Sequence, residues 1–154
     1  MSGSGAPQLD VSGEGLKIYV LATSWHTQIM DGLLAGARKE LAKSGATDVT
    51  IWRVPGAFEL PLAAQRAADQ GAQAIIALGV VIQGDTPHFD YVCSAATDGL
   101  TRVQLDSKVP VGFGLLTVNN EAEALARAGL DGSKEDKGAE AVQAALSMTS
   151  LGKS

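Results

Sequence analysis

The sequence predicts an α/β domain in which helices cover both faces of a parallel sheet. Four short aliphatic segments alternate with segments of helical periodicity, and no long linker or internal repeat interrupts this order. Strands separated by helices favour parallel pairing, because each connection must cross back over the sheet. Hydrophobic residues make up 45% of the 154 residues and aromatic residues only 5%, which indicates an aliphatic core of single-domain size.

Composition limits the class of protein and its surroundings. Residues 1–14 are rich in glycine, serine and polar residues and are predicted to form a flexible tail, which leaves residues 15–154 as one domain. A formal net charge of −5 argues against a nucleic-acid partner. No apolar run is long enough for a membrane span, and the N-terminus lacks the pattern of a secretory signal. Cys93 is the single cysteine, which excludes an intrachain disulfide and fits a cytoplasmic protein.

The first two strands follow from short runs of aliphatic and β-branched residues. Lys17–Thr23 is predicted as the first strand and Val49–Val54 as the second. Ser24 is expected to cap the first helix, which Ser44 and Gly45 end. The apolar positions of that helix recur every fourth residue: Ile29, Leu33, Ala37 and Leu41.

The middle of the chain repeats the alternation. Glu59–Gln70 is predicted as the second helix, and Ala74–Ile82 as a third strand that is apolar throughout, as expected for a strand covered on both faces. Thr86 is expected to be the N-cap of the third helix and Pro87 its first residue. One apolar face of this helix is formed by Phe89, Val92, Cys93, Ala96, Leu100 and Val103.

The last elements are predicted from similar patterns. Val111–Thr117 is the fourth strand. Asn120 and Glu123 have the spacing of a capping box at the start of a fourth helix, which is expected to end at Gly129. A final helix is predicted over about Glu135–Met148.

Three strand-to-helix junctions hold the residues best suited to chemistry. Each follows a predicted strand, so each emerges at the carboxyl end of that strand. In open α/β sheets ligands bind at this edge, and we expect the three junctions to converge on one site there. The junctions are Ser24-Trp25-His26, Gly56-Ala57-Phe58-Glu59 and Gly84-Asp85-Thr86-Pro87-His88.

The third junction is typical of an anion site. Gly84 permits close backbone approach, and the helix that follows presents N–H groups and the positive end of its dipole. The spacing from Gly79 to Thr86 resembles the outline of a nucleoside-triphosphate loop, but Asp85 stands where that loop requires lysine. The junction fits a monophosphate at the helix N-terminus or an ordinary capped helix after a glycine turn, and the resemblance described below favours the monophosphate.

Individual residues at the junctions each allow a functional and a structural interpretation. His88, in a first helical turn, is favoured as a neutral imidazole that can accept a proton, although capping or packing fits its position equally well. His26 is compatible with a second polar contact, but a surface or capping role is favoured. Trp25 offers a flat face to a planar ligand or belongs to the core. Glu59 can bind hydroxyls or act only on the helix dipole. No metal site is expected, because two histidines and one cysteine make no recognisable ligand set.

Taken together, these motifs resemble the lumazine synthase family from about Lys17 to Leu146. The most specific part is the run from Gly79 to Val92 (GVVIQGDTPHFDYV), and Arg127-Ala128-Gly129 adds to it. The resemblance implies a flavodoxin-like three-layer sandwich with strand order 2-1-3-4. It also implies condensation of 5-amino-6-(D-ribitylamino)uracil with 3,4-dihydroxy-2-butanone 4-phosphate. The products would be 6,7-dimethyl-8-ribityllumazine, phosphate and water, in the penultimate step of riboflavin biosynthesis, without a cofactor.

The resemblance also implies a role for each site residue. His88 is expected to move protons and Arg127 to hold the phosphate, so both are predicted as catalytic. Trp25 is expected to stack on the pyrimidine ring and Glu59 to bond the ribityl hydroxyls. The rest of the substrate pocket is expected to be Ala57, Phe58, Val80, Val81, Ile82, Phe113 and Lys137. The phosphate is expected to bind Gly84, Asp85 and Thr86 together with Arg127.

Two positions depart from the family pattern. Gln83 stands where many relatives carry arginine, which removes a charge beside the pocket. Asp85 brings a carboxylate into the phosphate loop, and this is tolerable if its backbone N–H faces the anion. Neither change removes a catalytic group.

The predicted topology implies a site shared between subunits. Phe113 lies near the start of the fourth strand and His88 beyond the end of the third, at opposite edges of the sheet, roughly 20 Å apart. Arg127 also lies near the far edge, so if both residues reach the substrates, as the resemblance implies, they must come from an adjacent protomer. The family forms pentamers, and the connection over residues 127–138 is longer than in capsid-forming relatives, which favours a free homopentamer. Alternatives are an archaeal-type riboflavin synthase and a non-catalytic flavin-binding module.

Overall fold

The structure is a computed structural model that describes residue 5 and residues 9–153. Half of the predicted tail, residues 1–4 and 6–8, lies outside the described residues, so the predicted division at residue 15 stays a prediction. Strands and helices alternate as the sequence predicts. The elements are β1 (Lys17–Thr23), α1 (Thr27–Lys43), β2 (Asp48–Val54), a 3₁₀ turn (Ala57–Glu59), α2 (Leu60–Asp69), β3 (Ala74–Ile82), α3 (His88–Ser107), β4 (Val111–Val118), α4 (Glu121–Leu125) and α5 (Lys137–Ser147).

The four strands form one parallel sheet in the order β2-β1-β3-β4. This confirms the predicted α/β fold class and its strand order, which is consistent with a flavodoxin-like sandwich. Since all strands run the same way, the junctions after β1, β2 and β3 leave the sheet at one edge. The order places β1 between β2 and β3, so the junction at the end of β1 lies in the middle of the three.

Side chains of alternate strand residues form two cores, one on each face of the sheet. In β1, Val20 packs with α1 and α5 on one face, whereas Tyr19 and Leu21 pack with α2 and α3 on the other. Strand side chains point to alternate faces, so one aliphatic strand supplies both cores. The sheet is thereby covered on both sides, and its carboxyl edge remains open to solvent. Among residues 9–153, no helix combines the length and apolar character needed to cross a membrane.

Two glycines let α5 approach its neighbours closely. A Cβ on Gly112 of β4 would clash with the carbonyl oxygen of Ala141, and a Cβ on Gly138 would clash with that of Leu33 in α1. Both positions therefore require glycine for backbone-to-backbone packing. This packing fixes the start of α5, where Lys137 lies, against the sheet.

Four predicted helix starts were wrong by one or two residues. α2 begins at Leu60 rather than Glu59, and α5 begins at Lys137 rather than about Glu135. α1 begins at Thr27 with His26 at its N-cap position, and Ser24 does not cap it. Instead the Ser24 hydroxyl donates to the carbonyl oxygen of Val54 at 2.8 Å, because β2 ends beside it. α3 begins at His88, one residue after the predicted Pro87, and the His88 N–H donates to Thr86 Oγ1 at 3.4 Å.

The fourth helix is shorter than predicted. Its cap is as expected, since the Glu123 N–H donates to Asn120 Oδ1 at 2.9 Å, but α4 ends at Leu125 rather than at Gly129. The chain then pairs residues 126–129 with residues 134–137. Lys137 N–H donates to the carbonyl oxygen of Arg127 at 3.0 Å, and Gly129, at φ +69°, donates to Glu135 at 3.0 Å. These backbone bonds replace the last helical turn.

Candidate active site

A cleft of about 670 Å³ opens at the carboxyl edge of the sheet, where the three junctions meet. Its walls come from the ends of β1, β2 and β3 and from the first turns of α3. The convergence expected from the sequence is therefore present. The lining residues are Trp25, His26, Gly56, Ala57, Phe58, Glu59, Val80, Val81, Ile82, His88, Tyr91 and Val92.

Aromatic side chains give the cleft its apolar walls. Trp25 is 67% exposed and Phe58 65% exposed, so neither belongs to the core. A Cβ on Gly56 would lie 3.5 Å from Trp25 Cδ1 and Nε1, which shows that the indole ring rests against the Gly56 backbone. An exposed indole held in this way offers one face to a planar ligand.

The carboxylate of Glu59 has a fixed orientation. Its Oε2 accepts a hydrogen bond from the Gly56 N–H at 3.0 Å, across the 3₁₀ turn that follows β2. This bond satisfies a backbone donor at the start of the turn. It also leaves Oε1 available to a ligand in the cleft.

His88 lies where the cleft meets the start of α3. The loop residues Gly84, Asp85 and Thr86 are exposed; they do not line the cleft, but they join Ile82 to His88, which both do. Apart from Gly84 and its two chain neighbours, no described residue has an atom within 4 Å of the Cβ position of Gly84, so the backbone at this position is open to approach. The 20-residue α3 directs the positive end of its dipole at the same place.

The structure does not bring Phe113, Arg127 and Lys137 into the cleft. They line a second pocket of about 490 Å³, together with Val111, Leu115, Leu116, Thr117, Val118, Glu140, Ala141 and Ala144. Phe113 pairs with Ala77, and this register places it five residues before Ile82 along the strands. At about 3.3 Å per residue, that separation is about 17 Å.

Two cations of the second pocket are held by neighbouring groups. Arg127 Nη1 donates to the carbonyl oxygen of Glu123 at 2.8 Å. Lys137 Nζ lies 3.0 Å from Glu135 Oε2 and 3.2 Å from Glu140 Oε1. Burial disfavours the charged form of Lys137, but the two carboxylates outweigh it, so the pKa of Lys137 is raised above its ordinary value.

The chain matches one protein family over nearly its whole described length. A sequence profile described as 6,7-dimethyl-8-ribityllumazine synthase matches residues 15–153. The chain belongs to this family. The resemblance stated from the sequence is thereby confirmed, and with it the prediction that the protein is an enzyme.

Curated relatives with this name are similar along the full chain. The 6,7-dimethyl-8-ribityllumazine synthase of Kineococcus radiotolerans is 65% identical over 146 residues, covering 95% of this chain and 91% of the relative. That of Clavibacter michiganensis subsp. michiganensis is 55% identical over 157 residues, covering 100% and 98%. That of Leifsonia xyli subsp. xyli is 56% identical over 148 residues, covering 95% and 93%.

Four residues that line the cleft of this 6,7-dimethyl-8-ribityllumazine synthase family member were not predicted as substrate-pocket residues from the sequence. Gly56 was identified only as part of a motif, Val92 was predicted on the apolar face of the third helix, and Tyr91, 74% exposed, was given no role. His26 was favoured as a surface or capping residue, but its side chain makes no capping hydrogen bond and it lines the cleft. The position of Tyr91 three residues after His88 on one helix face could have identified it.

Proposed function

We propose that the protein condenses 5-amino-6-(D-ribitylamino)uracil with 3,4-dihydroxy-2-butanone 4-phosphate, which yields 6,7-dimethyl-8-ribityllumazine, phosphate and water in the penultimate step of riboflavin biosynthesis. The observation that carries the proposal is the cleft itself. It joins exposed aromatic walls, an oriented carboxylate and a histidine at a helix start. Family membership supports the same reaction.

The ribitylaminouracil binds in the cleft. Trp25 stacks on the pyrimidine ring, and Val80, Val81 and Ile82 border the ring at the end of β3. Ala57 and Phe58 flank the ribityl chain. Glu59 accepts hydrogen bonds from the ribityl hydroxyls through Oε1, because Oε2 is held by the Gly56 N–H.

His88 transfers protons during the reaction. The amine attacks the ketone and one water is lost to give an imine, phosphate then leaves, and the ring closes on the remaining carbonyl with loss of a second water. A neutral imidazole at the edge of the cleft can take a proton from the amine and return one to the departing oxygen. The backbone of Gly84, Asp85 and Thr86, at the start of α3, holds the phosphate. No redox step occurs, so the reaction requires no cofactor.

Phe113, Arg127 and Lys137 reach the substrates from a neighbouring subunit. The cleft-lining residues include neither lysine nor arginine, whereas the second pocket contains both Arg127 and Lys137. The register places Phe113 five residues before the cleft-lining Ile82, and neither Arg127 nor Lys137 lines the cleft, which supports a contribution of these three residues from an adjacent subunit. We therefore propose a homopentamer in the cytoplasm, with each active site between adjacent subunits. Light scattering is expected to give the mass of about five chains, and a capsid-sized mass of about sixty would contradict this.

The test of the reaction uses purified protein and both substrates. Formation of lumazine fluorescence, with the product mass confirmed and one phosphate released per product, is the expected result. A reaction without the phosphorylated substrate is the control. Incubation with lumazine alone separates the proposal from a riboflavin synthase, since conversion of lumazine to riboflavin would contradict it. A tightly bound flavin without product formation would instead indicate a flavin-binding module.

A further inference from the structure

Both histidines of the chain line the cleft, and the proposed reaction uses only His88. We propose that His26 is a second substrate-binding residue, which hydrogen-bonds the ribitylaminouracil and positions it for His88. This inference rests on the proposed function and adds a binding residue to the same site.

The place of His26 in the sheet supports contact with this substrate. His26 directly follows Trp25 at the end of β1, the strand between β2 and β3. It therefore lies between the junction that carries Glu59 and the junction that carries His88. A neutral imidazole has one hydrogen-bond donor and one acceptor, which suits the carbonyl and N–H groups of a uracil or the hydroxyls of a polyol.

The backbone conformation at His26 favours glycine over a residue with a side chain. Its φ of 59° and ψ of 70° are left-handed, whereas N-cap residues ordinarily have extended backbone. Among the described residues other than glycine, Lys108 alone shares a positive φ. A left-handed backbone favours glycine because a Cβ crowds the following carbonyl.

Nor does the side chain stabilise the helix. N-cap side chains ordinarily accept a hydrogen bond from the first turn, and the His26 imidazole makes no such bond to α1. The helix uses only the carbonyl oxygen of His26, which accepts from the Met30 N–H at 2.9 Å and would remain in glycine. The imidazole is thus accounted for by the cleft that it lines.

Substituting glycine separates a binding role from a structural one. His26→Gly relieves the strain of the left-handed backbone and removes an imidazole that does not cap the helix. The unfolding midpoint is therefore expected to remain unchanged or to rise. The dissociation constant and the KM for the ribitylaminouracil are expected to rise about fivefold to tenfold, as for a lost hydrogen bond. The KM for the phosphorylated substrate is expected to remain within about twofold. Calorimetric titration and steady-state kinetics measure these quantities.

Two further variants control the experiment. His26→Asn tolerates the left-handed backbone and keeps a donor and an acceptor, so its dissociation constant is expected within about threefold of the native value. Lys108→Gly relieves the same backbone strain at the far end of α3, about 30 Å from His88, and should leave substrate binding unchanged.

The outcomes distinguish this inference from the proposed function. Native binding and KM in His26→Gly would overturn the role of His26 while lumazine synthesis stands. A lower unfolding midpoint of His26→Gly together with weaker binding would show that His26 has a structural role, and this result would also overturn its proposed role in substrate binding. If the native protein forms no lumazine but binds the ribitylaminouracil more tightly than His26→Gly does, the binding role of His26 is supported and the proposed reaction is contradicted. Failure of the native protein to bind the ribitylaminouracil would contradict both.

Discussion

The cleft at the carboxyl edge and the second pocket on β4 differ in chemistry. The cleft combines exposed aromatic rings with Glu59 and two imidazoles, whereas the second pocket combines a strand surface with Arg127 and Lys137. The cleft is suited to a planar, hydroxylated molecule, and the second pocket suits an anion through Arg127, since Lys137 is paired with Glu135 and Glu140. A reaction between a ring and a phosphate ester needs both. In the proposed assembly, one chain therefore carries two halves of an active site, and each half faces a different neighbouring subunit.

The two halves also differ in construction. The cleft is built from three junctions, each local in sequence, that a parallel sheet brings to one edge. The second pocket depends on contacts that are not local. Residues 126–129 pair with residues 134–137, and α5 packs on β4 through Gly112. Changes in the cleft should therefore alter chemistry and ring binding, and changes in the second pocket should alter anion binding.

The largest expected effect separates proton transfer from binding. His88→Ala is expected to lower kcat about 10²-fold or more, because a general acid–base group contributes that much. Measurable activity should remain, since positioning of the substrates supplies on the order of 7–11 kcal/mol. The KM values of both substrates should change little. Steady-state kinetics checks this, and full activity in His88→Ala would refute the role of His88.

A smaller effect is expected from the second pocket. Arg127→Ala should lower kcat/KM for the phosphorylated substrate about 10-fold to 10²-fold, because a charged hydrogen-bond donor is lost. The dissociation constant of the ribitylaminouracil should be unchanged. Arg127→Lys serves as the control that keeps the charge and is expected to retain part of the lost activity. Equal losses for both substrates in Arg127→Ala would break the distinction between the two pockets.

The smallest effect concerns the stability of the second pocket. The raised pKa of Lys137 means that its contribution to folding is fully present below pH 10.5 and is lost as pH rises through the folded-state pKa. Lys137→Met is expected to lower the free energy of unfolding by about 1 kcal/mol near about pH 8, and the difference should shrink above about pH 11. Urea unfolding at both pH values measures this. Lys134→Met, at an exposed position of the same segment, is the control; an equal loss in both variants would contradict the assignment.

Local sequence patterns predicted the sheet better than the helix ends. The predicted bounds of β1 and β3 were confirmed. Both strands are buried on two faces, so each stands out in the sequence as a continuous aliphatic run. Ser24 was wrong as a cap because its hydroxyl bonds to Val54 on another strand. Helix four was predicted too long because the pairing of Arg127 with Lys137 depends on residues ten apart, which helical periodicity does not reveal.

The same distinction holds for the site. Trp25, Glu59 and His88 were predicted to meet because each follows a strand of a parallel sheet. His26 is exposed at the N-cap position of α1, in line with the favoured interpretation, and it also lines the cleft; its left-handed backbone could not be expected from the sequence. Phe113, Arg127 and Lys137 could be proposed only from resemblance to a family. The strand register separates Phe113 from the end of β3, and none of the three residues lines the cleft.

Mixed assemblies of two defective chains test the shared site most directly. His88→Ala lacks a working cleft and Arg127→Ala lacks a working second pocket, but each chain keeps the half that the other has lost. In a randomly mixed ring, about half of the sites have an intact cleft, and about half have an intact second pocket from the neighbouring subunit. Roughly a quarter of the sites have both, so roughly a quarter of native activity should return. Separately assembled variants, combined without subunit exchange, are the control. Activity no higher than the average of the two variants would show that both halves must lie on one chain, and would contradict the shared site.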